Sequence, residues 1–169
     1  MNMNYKILGG TLLASTLLLG ACGGNTDTTK KDEAKTEQKE VKKDSGALKL
    51  GETKKIDKTT FTVKEVKVTD ERNEFNDVKA EKVITVFSTV KSENDEDYVA
   101  GQEAAVYVNG KKADEYALGS DKSETLSKGR TADVSQSFAV PKDAKEIEIE
   151  IKPLFSVGNE KALYKATIK

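Results

Sequence analysis

Glu146-Ile147-Glu148-Ile149-Glu150-Ile151 alternates acidic and β-branched apolar residues without a break. Successive side chains of a β-strand point to opposite faces of a sheet, so the isoleucines share one face and the glutamates the other. The stretch therefore predicts a strand that covers a core on one side and meets water on the other.

Two segments earlier in the chain carry related patterns. In Thr60-Phe-Thr-Val63 the apolar residues share one face, whereas Val66 and Val68 fall on the other parity, which predicts a bulge or a twist. The segment KVITVFSTVK, residues 82–91, has apolar side chains on both parities. That pattern is typical of a central strand covered on two sides.

Turn signals separate the strand-like segments. Asn109-Gly110 predicts a two-residue hairpin turn, because these residues adopt the positive φ angles that such a turn needs. Pro141 is expected to end a strand that contains Phe138. Between residues 47 and 169 we expect seven or eight short strands and no long helix. This all-β pattern predicts an antiparallel β-sandwich.

The composition narrows the possible functions. The chain has 169 residues, 28 of them basic and 29 acidic, with a formal net charge of −1. This balance gives no global field that would attract nucleic acid, so no nucleic-acid partner is expected. Histidine is absent and cysteine occurs once, which excludes histidine-based catalysis, most metal sites and an intramolecular disulfide. We therefore expect no enzyme activity and no diffusible cofactor.

Residues 1–21 predict a secretory signal peptide. Lys6 is the only charge before Asp27, and residues 7–21 are apolar or small throughout. A membrane-spanning helix usually needs about 20 predominantly apolar residues, and this run is shorter. The segment is therefore expected to direct export and then to be removed.

The last three residues of this segment and the cysteine that follows, Leu19-Gly20-Ala21-Cys22, resemble the lipobox of bacterial lipoprotein precursors. The resemblance implies that signal peptidase recognises Leu19, Gly20 and Ala21, that cleavage occurs before Cys22, and that Cys22 carries a covalent diacylglycerol. Two acyl chains hold a protein stably in a bilayer. We expect a lipid-anchored, extracytoplasmic protein on the outer face of the cell membrane.

Residues 22–46 predict a lipidated cysteine followed by a disordered, charged tether. From Gly23 to Gly46 there is no aromatic residue, and Val41 is the only large aliphatic one. Such a stretch buries too little apolar surface to offset its conformational entropy. A root-mean-square reach of about 27 Å would hold the domain of residues 47–169 away from the membrane.

Several segments of this domain resemble a known family. They are Leu50-Gly-Glu-Thr53 with residues 61–66, the strand of residues 83–90, the hairpin of residues 106–112, Leu126-Ser-Lys-Gly-Arg-Thr131 and Ser137-Phe-Ala-Val-Pro-Lys-Asp-Ala-Lys-Glu-Ile147. They are similar to an immunoglobulin-like lipoprotein domain of unknown function. This domain occurs in Gram-positive secreted lipoproteins and is related in fold to an immunoprotective extracellular antigen. The resemblance implies an immunoglobulin-like antiparallel β-sandwich and carries no known activity.

Two acidic loops are candidates for a metal site. The first offers hard oxygen ligands to calcium, although it lacks the D-x-D-x-D-G spacing and a solvated loop is the alternative. Its acidic residues are Glu93, Asp95, Glu96 and Asp97. The second loop, for which calcium is less expected, contains Asp70, Glu71, Glu74 and Asp77.

The tyrosines are candidates for a recognition surface. Tyr98 and Tyr116 adjoin predicted loops, and exposed aromatic residues on sandwich loops often anchor partners. Tyr107 and Tyr164 are instead expected in the core or at the sheet edges. We therefore predict that Tyr98 and Tyr116 belong to a partner-binding surface.

Together these observations predict a non-catalytic binding or structural module at the cell surface, held by the lipid on Cys22. Its expected partners are the membrane, through the anchor, and a protein or wall polymer. One alternative is an adaptor subunit of an envelope transport, secretion or conjugation machine. Another is a small envelope hydrolase, which would require a pocket with converging carboxylates or hydroxyls.

Overall fold

The computed structural model describes residues 46–156 and 158–168, and the regular structure in these ranges consists of β-strands. The eleven strands are β1 (Thr53–Ile56), β2 (Thr59–Thr69), β3 (Lys82–Ser92), β4 (Tyr98–Ala100), β5 (Ala104–Val108), β6 (Lys111–Lys112), β7 (Asp114–Glu115), β8 (Glu124–Leu126), β9 (Thr131–Val140), β10 (Glu146–Ile151) and β11 (Ala162–Thr167).

These strands form an antiparallel β-sandwich, which confirms the predicted fold class. The expected number of strands, seven or eight, was too low. The additional strands are β1, with four residues, and β4, β7 and β8, with two or three residues each. Elements of that length are too short to carry an alternating pattern, so the sequence could not reveal them.

The first sheet has the strand order β1-β2-β3-β9-β7. Its middle strand β3 buries side chains of both faces, as its mixed apolar pattern predicted. The irregularity predicted in β2 is a register shift between Val63 and Glu65. The shift lets Phe61 and Val63 enter the core, while Val68 remains exposed. β9 ends at Val140, directly before Pro141.

The second sheet has the strand order β11-β10-β5-β6. All three isoleucines of β10 are buried, which confirms the inward face predicted from the alternating stretch. The β5–β6 turn is the predicted hairpin, with φ of 50° at Asn109 and 78° at Gly110. β4 and β8 form a separate two-stranded sheet.

The core lies between the two large sheets. Its largest fully buried side chains include Phe61, Phe138 and Tyr164, and the Tyr164 hydroxyl donates to the Glu52 carbonyl at 3.0 Å. No helix within residues 46–156 and 158–168 is long and apolar enough to cross a membrane.

The sandwich has two ends, which we name by where the chain enters. Leu48 pairs in parallel with Tyr164 of β11, so the chain arrives from the end at which β11 begins. This entry end carries the β1–β2 turn, the β3–β4 loop and the β10–β11 loop. The opposite, distal end carries the β2–β3 loop, the β5–β6 hairpin and the β9–β10 loop.

Candidate functional site

The predicted lipidation site lies outside the described residues. Cys22 and the recognition residues Leu19, Gly20 and Ala21 all precede residue 46, as do the signal peptide and the tether. Their roles remain predictions from the sequence.

The first acidic loop, between β3 and β4, is tied to the rest of the domain by lysines. Asp95 binds Lys128 at 2.6 Å through one carboxylate oxygen and Lys58 through the other. Hydrogen bonds from Lys128 and Lys58 lower the pKa of Asp95 to about 2. Glu93 binds Lys91 at 2.6 Å, and this contact lowers the pKa of Glu93.

This pairing replaces the calcium arrangement considered for the loop. Among the described residues, no group of three or more acidic side chains is placed to hold a metal ion. The candidate ligands Glu93, Asp95, Glu96 and Asp97 are therefore not brought together. The physical reason is that the oxygens of Asp95, at the centre of the loop, already face two ammonium groups.

The prediction that Tyr98 and Tyr116 form an exposed partner surface is wrong. Their exposed fractions are only 7% and 4%. The Tyr98 hydroxyl accepts from the Leu154 amide at 3.3 Å, and the Tyr116 hydroxyl accepts from the Asn73 amide at 3.1 Å. Each ring fills space beneath a loop, and its hydroxyl holds that loop, which is the usual behaviour of a buried tyrosine.

Tyr98 adjoins a buried carboxylate at the entry end that sequence reasoning missed. One oxygen of Glu103, Oε2, accepts from the amides of Gly101 and Gln102 at 2.8 and 2.9 Å. The other oxygen, Oε1, is buried and has no hydrogen-bond partner. Burial raises the pKa of Glu103, and the hydrogen bonds to its carboxylate oppose this effect. The same burial and the Glu103 charge raise the pKa of Tyr98.

Open clefts of about 330, 240, 240 and 350 Å³ lie on the surface of the described residues. The last is bordered by β9 and is lined by three serine residues. There the Ser137 hydroxyl donates to Asp121 at 2.7 Å and contacts the Thr85 hydroxyl at 2.9 Å, while Asp121 also accepts from the Leu118 amide. These polar groups bind one another and fasten the segment after β7 to the first sheet.

Two phenylalanines project from opposite ends of the sandwich. Phe75, in the β2–β3 loop, is 96% exposed, and Phe155, in the β10–β11 loop, is 95% exposed. Neither was singled out from the sequence. For Phe75 the signal was a lone phenylalanine inside a polar stretch without alternation, which places an aromatic ring on a loop rather than in a strand. Phe155 follows Leu154 in a short apolar stretch, and no comparable signal marks it in the sequence. These rings are the large aromatic groups that the described surface offers to a partner.

No protein-family model and no curated protein matches the sequence. Solved structures do resemble it. A candidate lipoprotein of Bacillus subtilis, ycdA, matches with a TM-score of 0.56 and 16% identity over 68% of this chain, which spans only 38% of that protein. The yjhA protein of Bacillus subtilis matches with a TM-score of 0.54 and 18% identity, over 69% of this chain and 97% of its own.

The secreted protein MPT63 of Mycobacterium tuberculosis also matches, with a TM-score of 0.51 and 14% identity over 71% of this chain and 98% of its own. At identities this low, a structural likeness shows a shared fold and gives no information on activity. The chain therefore shares an antiparallel β-sandwich fold with a candidate lipoprotein and a secreted protein.

Proposed function

We propose that this chain is an extracytoplasmic lipoprotein whose β-sandwich acts as a non-catalytic binding module at the cell surface. The observation that carries the proposal is Leu19-Gly20-Ala21-Cys22, which follows an apolar run and contains the only cysteine of the chain. A diacylglycerol on Cys22 would anchor the chain, and residues 23–46 would connect the anchor to the entry end of the sandwich.

The arrangement of polar groups supports a binding role rather than catalysis. General acid–base chemistry needs a side chain that can reach the substrate in the correct protonation state. In the cleft beside β9, the carboxylate of Asp121 is instead engaged by Ser137 and the Leu118 amide. Glu103, whose pKa is raised, lies beneath the surface with an exposed fraction of 8%. Both carboxylates are engaged by contacts within the domain.

Metabolic labelling with palmitate tests the anchor. The full chain should incorporate label, and Cys22→Ala should abolish incorporation and leave the precursor uncleaved, because the acyl acceptor is gone. Ser15→Ala, a change in the leader outside the lipobox-like motif, serves as the matched control and should label normally. Undiminished labelling of Cys22→Ala would refute lipidation at this residue.

A further inference from the structure

The β2–β3 loop at the distal end has a defined conformation, although it contains no regular structure. The amide of Asn73 donates to the buried Tyr116 hydroxyl at 3.1 Å, and the Asn73 side-chain amide donates to the Ala117 carbonyl at 2.8 Å. The side-chain oxygen of Asn73 also accepts from the Phe75 amide at 3.0 Å. Asn73 therefore fixes the backbone at Phe75 to the body of the domain.

Two apolar residues of the loop pack against the domain, and one is exposed to solvent. Val78 and Ala80 pack against a small buried cluster that includes Tyr116 and Leu118. Phe75 lies on the same loop and is 96% exposed. Because the backbone on its N-terminal side is hydrogen-bonded in place, little backbone entropy would be lost when a partner buries this ring. A large aromatic side chain is a usual anchor of an interface.

The charges around Phe75 are mostly negative and unpaired. Residues 70–77 contain four exposed carboxylates and one cation, Arg72, whose guanidinium donates to the carbonyls of Thr69 and Glu71. Eight ion pairs are found among the described residues, and none includes a carboxylate of this loop. Glu71 accepts from the Ser120 hydroxyl at 2.6 Å, a contact that adds no positive charge, so the loop keeps a net negative charge.

We infer that this loop is a docking site for a partner protein that offers an apolar pocket bordered by lysine or arginine side chains. We call the site the Phe75 surface and define it by Phe75, Asp70, Glu71, Glu74 and Asp77. The inference rests on the proposed binding function and names its surface and its partner class. Opposite charges around a central aromatic anchor provide both steering and a fixed orientation.

The surroundings of the site favour a protein over a membrane or a nucleic acid. Four carboxylates repel the phosphates of anionic lipids and of nucleic acid. The site also lies at the distal end, opposite the end from which the chain reaches Leu48. Phe155 differs, because the β10–β11 loop has mixed charges, with an ion pair between Lys54 and Glu160 at 2.9 Å. Phe155 therefore serves as the exposed aromatic residue with which Phe75 is compared.

Site-specific photocrosslinking in cells that produce the full chain tests the inference. p-Benzoylphenylalanine replaces Phe75 in one variant and Phe155 in another, and both variants retain Cys22. We expect a discrete crosslinked protein from position 75, with at least ten-fold less of that product from position 155. Equal yields from the two positions, or no protein product at 75, would overturn the proposed surface.

Charge reversal tests the partner class in the same cells. Asp70→Lys with Glu74→Lys, combined with the crosslinker at 75, should reduce the product at least ten-fold. Glu96→Lys with Asp97→Lys at the entry end is the matched control and should leave the yield within two-fold. A product that is insensitive to the first pair, or a crosslink to lipid or nucleic acid, would contradict the inference. Palmitate labelling of the same variants reports the anchor independently, so the two proposals can fail separately.

Discussion

The acidic loops at the two ends of the sandwich have similar compositions and opposite surroundings. At the entry end, Asp95 lies between Lys58 and Lys128, and Glu93 binds Lys91. At the distal end, the four carboxylates of residues 70–77 are absent from the ion pairs of the described domain. Two of the four carboxylates of the first loop therefore bind lysines of the fold, whereas none of the second loop does.

This contrast shows that the role of an acidic loop depends on residues that are distant in the sequence and close in the fold. Lys58 is 37 residues before Asp95, and Lys128 is 33 residues after it. Strand pairing brings them together, because the β1–β2 turn and the β8–β9 turn both lie at the entry end. Within the described ranges, the distal loop has no lysine in such a position. Apart from Glu71, which accepts from the Ser120 hydroxyl, its carboxylates remain available to a partner.

The largest predicted effect is the difference in stability loss between replacing a core phenylalanine and replacing Phe75. Phe138 is fully buried between the sheets, so Phe138→Ala should lower the free energy of unfolding by about 3–5 kcal/mol. Phe75→Ala should change it by less than about 0.5 kcal/mol, because the ring lies in solvent. Denaturant melts of both variants measure this difference. A large loss for Phe75→Ala would mean that the ring supports the fold and would undermine its role as a free anchor.

A second, intermediate effect concerns the buried carboxylate of the entry end. Glu103→Gln should raise the free energy of unfolding at pH 7 by about 1 kcal/mol, because it removes a poorly solvated charge and retains the acceptor for Gly101 and Gln102. The raised pKa of Glu103 sets the sign. Its protonated form favours the folded state at low pH, and this contribution is lost as pH rises through the folded-state pKa.

The advantage of Glu103→Gln should therefore be largest at neutral pH and shrink as the pH falls toward the ordinary glutamate range. Melts at a series of pH values check this dependence. An advantage that grows on acidification would show that Glu103 is stabilised as a carboxylate, contrary to this account.

The smallest predicted effect is the difference in stability loss between Asp95→Asn in the β3–β4 loop and Glu74→Gln in the β2–β3 loop. Asp95→Asn should lower the midpoint of denaturation slightly at low salt, and the loss should vanish at high salt, because the contacts with Lys58 and Lys128 are exposed. Glu74→Gln at the distal end should cause no loss at either salt concentration.

The pH dependence of this effect follows from the lowered pKa of Asp95. The stability that Asp95 contributes is present above the ordinary aspartate pKa and is lost as pH falls through about 2. The stabilities of the wild type and Asp95→Asn should therefore converge in acid. An equal salt dependence for Glu74→Gln would erase the contrast between the two loops.

Much of the fold was predictable because its signals are local. The alternating isoleucines of β10, the Asn109-Gly110 turn, the irregularity after Val63 and the end of β9 before Pro141 each depend on a few neighbouring residues. The two-residue strand β7 was not predictable, because its pairing with Phe138 and Ala139 is set by the tertiary fold.

The candidate site was less predictable, because its chemistry depends on distant contacts. Tyr98 and Tyr116 adjoin loops in the sequence, and yet both rings are buried, and their hydroxyls bind other loops, at Leu154 and Asn73. Tyr116 still matters to the distal surface, since its hydroxyl accepts the Asn73 amide and so positions the backbone near Phe75. Sequence spacing identified the loop and could not tell which aromatic residue would face the solvent.

The measurement that tests the contrast most directly is a nuclear magnetic resonance titration of the isotopically labelled full chain with a hexalysine peptide. We predict that backbone amide shifts move for residues 70–77, whose carboxylates lack lysine partners, and stay nearly constant for Glu93 and Asp95, which have them. The shifts should also disappear at high salt. Equal or larger movements at Glu93 and Asp95 would contradict the account, because they would show that paired carboxylates attract a cation as well as unpaired ones do.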